Sequence, residues 1–151
     1  MKSRKTKVIA ILAIAIQNGI ITDGDYLEFN LQSPNFQITK NFKLHEFLTK
    51  NKKNTFTRLN ANIIAEVQDL RDIYGSGIGI SSSYRSPAYN KSVNGATSSK
   101  HMLGDALDTY PIDGKIAAWK KTVRDNKKSG GIGYYRTFVH IDTGSTRNWN
   151  G

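Results

Sequence analysis

The stretch Ser99-Lys100-His101-Met102-Leu103-Gly104-Asp105-Ala106-Leu107-Asp108 constrains this chain more than any other. It sets an imidazole and a carboxylate seven positions apart, with a glycine and the pair Ala106-Leu107 between them. The pattern predicts a histidine at the end of a turn, a glycine where the chain bends or approaches a neighbour, and a short strand carrying Asp108 inward. One histidine and one carboxylate do not make a reactive zinc site, which takes three protein ligands and keeps a fourth position open. The other histidines are His45 and His140. His140 sits in Thr137-Phe138-Val139-His140-Ile141-Asp142-Thr143-Gly144, which reads as a strand, and His45 in Leu44-His45-Glu46-Phe47, which reads as a helix start. A histidine on a strand is the better partner for a site already resting on one. The candidate ligand set is therefore His101, Asp108 and His140, a combination of imidazole nitrogen and carboxylate oxygen that suffices for Zn2+.

The rest of the chain supplies a frame. Leu59, Ile63, Ile64, Val67, Leu70 and Ile73 fall on one helical stripe, so residues 57 to 73 are expected as a core helix stopped by Gly75 and Gly77. Ile78 to Arg85 reads as a strand delivering Tyr84 and Arg85. Ser86-Pro87 reads as a helix start with a cap and a proline at the first turn. A helix is expected from about Lys115 to Lys127, with Ile116, Trp119 and Val123 on its apolar side. Beyond Thr143-Gly144-Ser145 we expect only a short tail.

Three further segments give the ligand set a context. These are Tyr84-Arg85-Ser86 upstream, Gly130-Gly131-Ile132-Gly133-Tyr134-Tyr135, and the run from Phe138 to Gly144 followed by Arg147-Asn148-Trp149. Together with Ser-x-His-x-x-Gly-x-Ala-x-Asp, and in this order, they resemble the M15 zinc peptidases. That group includes D-alanyl-D-alanine carboxypeptidases, murein endopeptidases and phage endolysins. The resemblance covers roughly residues 41 to 149. It implies an α+β fold, a small antiparallel sheet flanked by helices of the Hedgehog/DD-peptidase kind. It also implies a zinc-dependent peptidase acting on peptidoglycan stem or cross-link peptides, as carboxypeptidase or endopeptidase. Zinc there would lower the pKa of its water to about 7 and polarise the scissile carbonyl.

Many M15 enzymes place an acidic residue three positions before the last zinc histidine, or a histidine two before it. Here those positions hold Thr137 and Phe138. Asp142 follows His140 by two residues and shares its face on a strand. It stands either as the base or as a group orienting a ligand imidazole, with His45 and Glu46 as outside candidates. A non-catalytic, zinc-containing wall-binding module is the alternative that the absent acid supports. Arg85 resembles the family arginine, whose guanidinium can fork a substrate carboxylate. Ser99 and Tyr84 complete the expected substrate-binding set.

Composition limits the partners. The 151 residues suit one sizeable core, and 22 Lys+Arg against 12 Asp+Glu give a net charge of +10. Such a surface favours polyanions: nucleic acid, anionic lipid or bacterial wall polymers. The lysines are scattered and no nucleic-acid motif occurs, so nucleic acid is not expected as a partner. With no cysteine, disulfides and thiolate zinc sites are excluded. Lys2, Arg4, Lys5 and Lys7 precede an apolar run from Val8 to Ile16, shaped like the start of a signal peptide but too short for a comfortable membrane span. We expect residues 1–40 to form a basic and apolar segment plus linker, a signal, an anchor or an ordinary packed element, outside a peptidase domain at 41–151. The expected setting is the cell envelope, secreted or phage-associated, with membrane association through the N-terminal segment and a monomeric chain.

Overall fold

A computed structural model describes residues 2–151. Its centre is a five-stranded sheet of order β10-β8-β9-β7-β6, built from β6 (Ile78–Ser82), β7 (Ala106–Pro111), β8 (Gly131–Tyr134), β9 (Val139–Asp142) and β10 (Arg147–Asn150). All neighbours run antiparallel except the edge pair β10 and β8. A second sheet joins β1 (Ile21–Asp23), β2 (Tyr26–Phe29) and β5 (Thr57–Asn60), and β3 (Gln37–Thr39) pairs with β4 (Phe42–Lys43). Four helices pack around them: α1 (Arg4–Gln17), α2 (Ala61–Tyr74), α3 (Pro87–Ser92) and α4 (Ile116–Asn126). The fold is α+β, as expected. The difference is the parallel edge: the segment expected as a tail returns as β10, with Arg147 opposite Gly131 and Trp149 opposite Gly133.

The two faces of the large sheet follow from strand periodicity. Leu107, Ile141 and Ile132 lie in one cross-strand row and join the apolar core. Trp119 of α4 packs on that side, its indole N–H donating to Thr109 Oγ1 at 2.9 Å. The residues between them face the other way, and that face carries the candidate site.

The helix expected over 57 to 73 begins later. Thr57 and Leu59 are buried on a strand paired with β2, and Asn60 caps α2 by accepting from the Asn62 backbone N–H. Leu59 satisfies both a period of two and a period of 3.6, so spacing alone could not place it. Ile73, assigned to the core stripe, is 56% exposed. Gly75 ends the helix in the left-handed region at φ 79°.

Of the segment before residue 41, Val8, Ile11, Ala15, Leu27, Phe29 and Ile38 belong to the same core cluster as Ile63, Val67 and Leu107. One face of the Val8–Ile16 run is matched by α2, which gives it a place to bury apolar surface. No described helix is long and apolar enough to cross a membrane.

Candidate metal centre

One row of residues crosses all five strands of the large sheet: Trp149, Gly133, His140, Asp108 and Ser82, each opposite the next. A second row, two residues along, carries Arg147 and Gly131 on β10 and β8, and Asp142 and Ala106 on β9 and β7. The spacings Arg-x-Trp, Gly-x-Gly, His-x-Asp and Ala-x-Asp are the same period-two step on four strands.

His101 enters from the 3-10 helix Lys100–Leu103. Ser99 caps that helix, its Oγ accepting from the His101 backbone N–H at 3.2 Å. Gly104 ends it at φ 76°, and a Cβ there would lie 2.3 Å from the Arg58 carbonyl oxygen. Glycine is therefore required twice over, for its backbone angle and for the space. The next residue, Asp105, accepts from Tyr26 Oη at 2.6 Å and from Asn60 Nδ2 at 3.2 Å. The small sheet thus braces the turn that aims His101.

The three candidate ligands converge and are buried. His101 Nε2 and His140 Nδ1 each lie 3.2 Å from Asp108 Oδ1, and all three donor atoms fall within 4.8 Å of one another. Each imidazole has its other nitrogen occupied. His101 Nδ1 is 2.7 Å from the Ser83 carbonyl, which can only accept, so Nδ1 carries the proton. His140 Nε2 donates to Asp142 Oδ2 at 2.8 Å. These bonds leave His101 Nε2 and His140 Nδ1 to face Asp108, the arrangement that outer partners give metal-binding histidines. Two nitrogens, one carboxylate oxygen and fixed tautomers fit a zinc ion.

Charge follows the same geometry. Burial disfavours the ionised Asp108, but its close contacts with His101 and His140 outweigh burial and hold its pKa well below the ordinary carboxylate range. Burial likewise opposes a charge on His140, yet Asp108 and Asp142 on opposite sides of the ring raise its pKa. A metal at Nδ1 would compete with that proton.

Asp142 is fully buried and saturated. Oδ1 accepts from the Gly131 and Gly144 backbone N–H groups and from Arg147 Nη1, while Oδ2 accepts from His140 Nε2 and Arg147 Nη2. Despite burial, bonds from His140, Arg147 and Gly144 keep its carboxyl far below the usual range. It touches the nitrogen of His140 that points away from Asp108. A Cβ on Gly131 would stand 2.3 Å from Arg147 Nη1 and 2.5 Å from Asp142 Oδ2, and one on Gly133 would stand 2.7 Å from the Trp149 ring. Both glycines serve by making room.

Arg85 lines the cleft, and its guanidinium is engaged. Nε donates to Ser82 Oγ at 3.1 Å, Nη1 to Asn90 Oδ1 at 3.3 Å and Nη2 to Asp108 Oδ2 at 3.4 Å. Ser99 also lines the cleft, a space of about 320 Å3. Tyr84 does not. Its ring is edge-on to Phe56 at 5.8 Å, and it borders a separate hollow. His45 and Glu46 are also elsewhere: His45 Nε2 meets the Ser33 carbonyl, and Glu46 accepts from the Lys43 backbone N–H. Among the described residues the only carboxylate lining the cleft is that of Asp108.

Several contributors escaped the sequence reading. Asn90 is buried and ties Arg85 to the Ala96 carbonyl. Arg147 grips Asp142 with two parallel bonds, and Trp149 lies 5.2 Å from the His140 ring. The Arg-x-Trp spacing was the available signal, but nothing in it says which strand it meets.

The family model described as Peptidase M15 matches residues 40–142, about two thirds of the chain. The chain belongs to the peptidase M15 family. The match contains all three convergent ligands and stops at Asp142, so β10 lies outside it. Among curated relatives, this M15 chain is 29% identical over 135 residues to the probable peptidoglycan L,D-endopeptidase MepK of Haemophilus influenzae, covering 79% of this chain and 72% of that protein. It is 28% identical over 116 residues to the peptidoglycan L,D-endopeptidase MepK of Escherichia coli K12, covering 71% of this chain and 63% of that protein.

Proposed function

We propose that this protein is a zinc-dependent peptidase that hydrolyses peptide bonds of peptidoglycan. The observation that carries the reading is the convergence of His101 Nε2 and His140 Nδ1 on one oxygen of Asp108, inside a matched M15 family region. The relatives named peptidoglycan L,D-endopeptidase favour an internal peptide bond over a carboxypeptidase cut. A cell-envelope setting follows from that substrate. The small sheet with flanking helices accords with the Hedgehog/DD-peptidase arrangement.

In this reading His101, Asp108 and His140 hold the ion, which supplies Lewis-acid polarisation of a carbonyl and activates water. Every other task belongs to the chain's own groups. The Ser83 carbonyl holds the proton on His101 Nδ1, and Asp142 holds the proton on His140 Nε2. Asp142 is thus a positioning group rather than the general base, because its oxygens already accept five hydrogen bonds. Arg85 fixes Asp108 through Oδ2, which turns Oδ1 toward the histidines. Three of its five N–H donors are engaged within the site, by Ser82, Asn90 and Asp108. Tyr135, Phe138 and Trp149 wall the cleft, with Tyr135 and Phe138 stacked at 4.4 Å.

One observation favours a second reading, a zinc-containing wall-binding module: the cleft offers no carboxylate besides Asp108 to take a proton. Digestion of purified sacculi with and without chelator separates the two. Soluble fragments that vanish with chelator support the peptidase, and their masses identify the bond cut. Sacculi that bind the zinc-loaded protein and remain intact support the module.

A further inference from the structure

Three cationic side chains line the cleft: Arg85, Lys100 and Arg147. The two arginines are neutralised within the site, Arg85 by Asp108 and Arg147 by Asp142. The Lys100 ammonium makes no hydrogen bond or ion pair among the described residues, although the backbone carbonyl of Lys100 accepts from the Asp105 N–H at 3.1 Å. With each arginine matched to one aspartate, its ammonium is the uncompensated protein charge of the cleft. A divalent metal ion would add to that excess.

The side chain is also directed. Lys100 precedes His101 on the 3-10 helix, and its stem runs over the turn after β9. A Cβ on Gly144 would lie 2.9 Å from Lys100 Cε, so the glycine clears the path of the lysine. Its partly buried stem crosses from the His101 side of the cleft toward the Asp142–Arg147 side, with the aromatic wall of Tyr135, Phe138 and Trp149 lining the same space.

We propose that Lys100 is a specificity-determining residue that binds a free carboxylate of the peptide substrate. This rests on the peptidase reading above and adds the substrate class: a peptide with a carboxylate near the bond that is cut. Arg85 would seem the better fork for such a group, but three acceptors already hold it in place. An ammonium with three donors and no acceptor can meet a carboxylate without breaking a bond within the site. The carboxylate could be the C-terminal one or one on a side chain; the chemistry is shared.

Three synthetic stem peptides test this: one with all carboxylates free, one amidated at the C-terminus and one amidated on the side chain. Affinities for zinc-loaded wild type, Lys100→Gln and Lys100→Arg are measured by calorimetry at low salt. The wild type should prefer the free acid over one of the amides by about tenfold, the scale of a charge-assisted hydrogen bond at a partly exposed site. The amide that loses affinity identifies the carboxylate. Lys100→Gln should bring that ratio to about one, and Lys100→Arg should keep most of it. Equal affinity of the wild type for all three peptides, or a preference that survives in Lys100→Gln, overturns the proposal. Loss of zinc together with the preference assigns it to the metal and also overturns it. Mass analysis of the same samples shows whether any peptide is cut, so an inactive protein that still prefers the acid would remove the peptidase reading and leave the carboxylate site standing.

Discussion

His140 and Asp142 stand two residues apart on β9 and bond to each other, Nε2 to Oδ2 at 2.8 Å. Adjacent positions on one face of a strand would ordinarily present both side chains to the same cleft. Here the imidazole lies between the carboxylate and Asp108, and Arg147 and two backbone N–H groups hold the carboxylate behind it. Replacing Asp142 by Asn keeps its shape and removes its charge. We expect zinc affinity to fall roughly 10- to 100-fold, with sacculus cleavage falling in parallel. Zinc titration of the purified variant checks this. Full zinc affinity with abolished cleavage would instead make Asp142 the base.

Gly133→Ala places a methyl group where the indole of Trp149 lies. Either β10 separates from β8 or the ring swings off His140. We expect a loss of about 1–3 kcal/mol in stability, the usual cost of overpacking. A changed tryptophan emission should accompany it. Unchanged emission and stability would mean that the edge strand adjusts freely.

Arg85→Lys retains the charge but cannot serve Ser82, Asn90 and Asp108 at once. Turnover should fall at least tenfold while the melting temperature falls by only a few degrees. A collapse of stability with unchanged turnover per folded molecule would make Arg85 purely structural.

In the proposed reading zinc binds the folded site and not the dispersed ligands of the unfolded chain. Its stabilisation should therefore grow with concentration, about 2.7 kcal/mol at one hundred times Kd. Thermal melts across a zinc series measure it, and the increment should disappear in His101→Ala and His140→Ala. Equal stabilisation of those variants would place the ion elsewhere.

The net charge of +10 should draw the protein to anionic walls. Exposed charges are screened over about 8 Å at physiological ionic strength. Co-sedimentation with sacculi should drop steeply as salt rises. Binding that does not respond to salt would indicate short-range recognition alone.

Local chemistry wrote much of this protein into its sequence. Pro87 after Ser86, the apolar side of α4 and the alternation through Val139–Asp142 each follow from a spacing within a few residues. The two-residue step from His140 to Asp142 likewise announced a shared strand face. What the sequence could not state is register. That Asp108 stands opposite His140, and Trp149 opposite Gly133, depends on contacts between distant segments, and a shift by one residue would turn every side chain to the other face. The same limit hid β10, the packing of α1 on α2, the switch from strand to helix at Asn60, and the direction of Tyr84. The residue types of the site were legible because zinc needs particular donors. The proton on each imidazole was decided only by tertiary structure, because its acceptors, the Ser83 carbonyl and the Asp142 carboxylate, are set in place by the folded sheet.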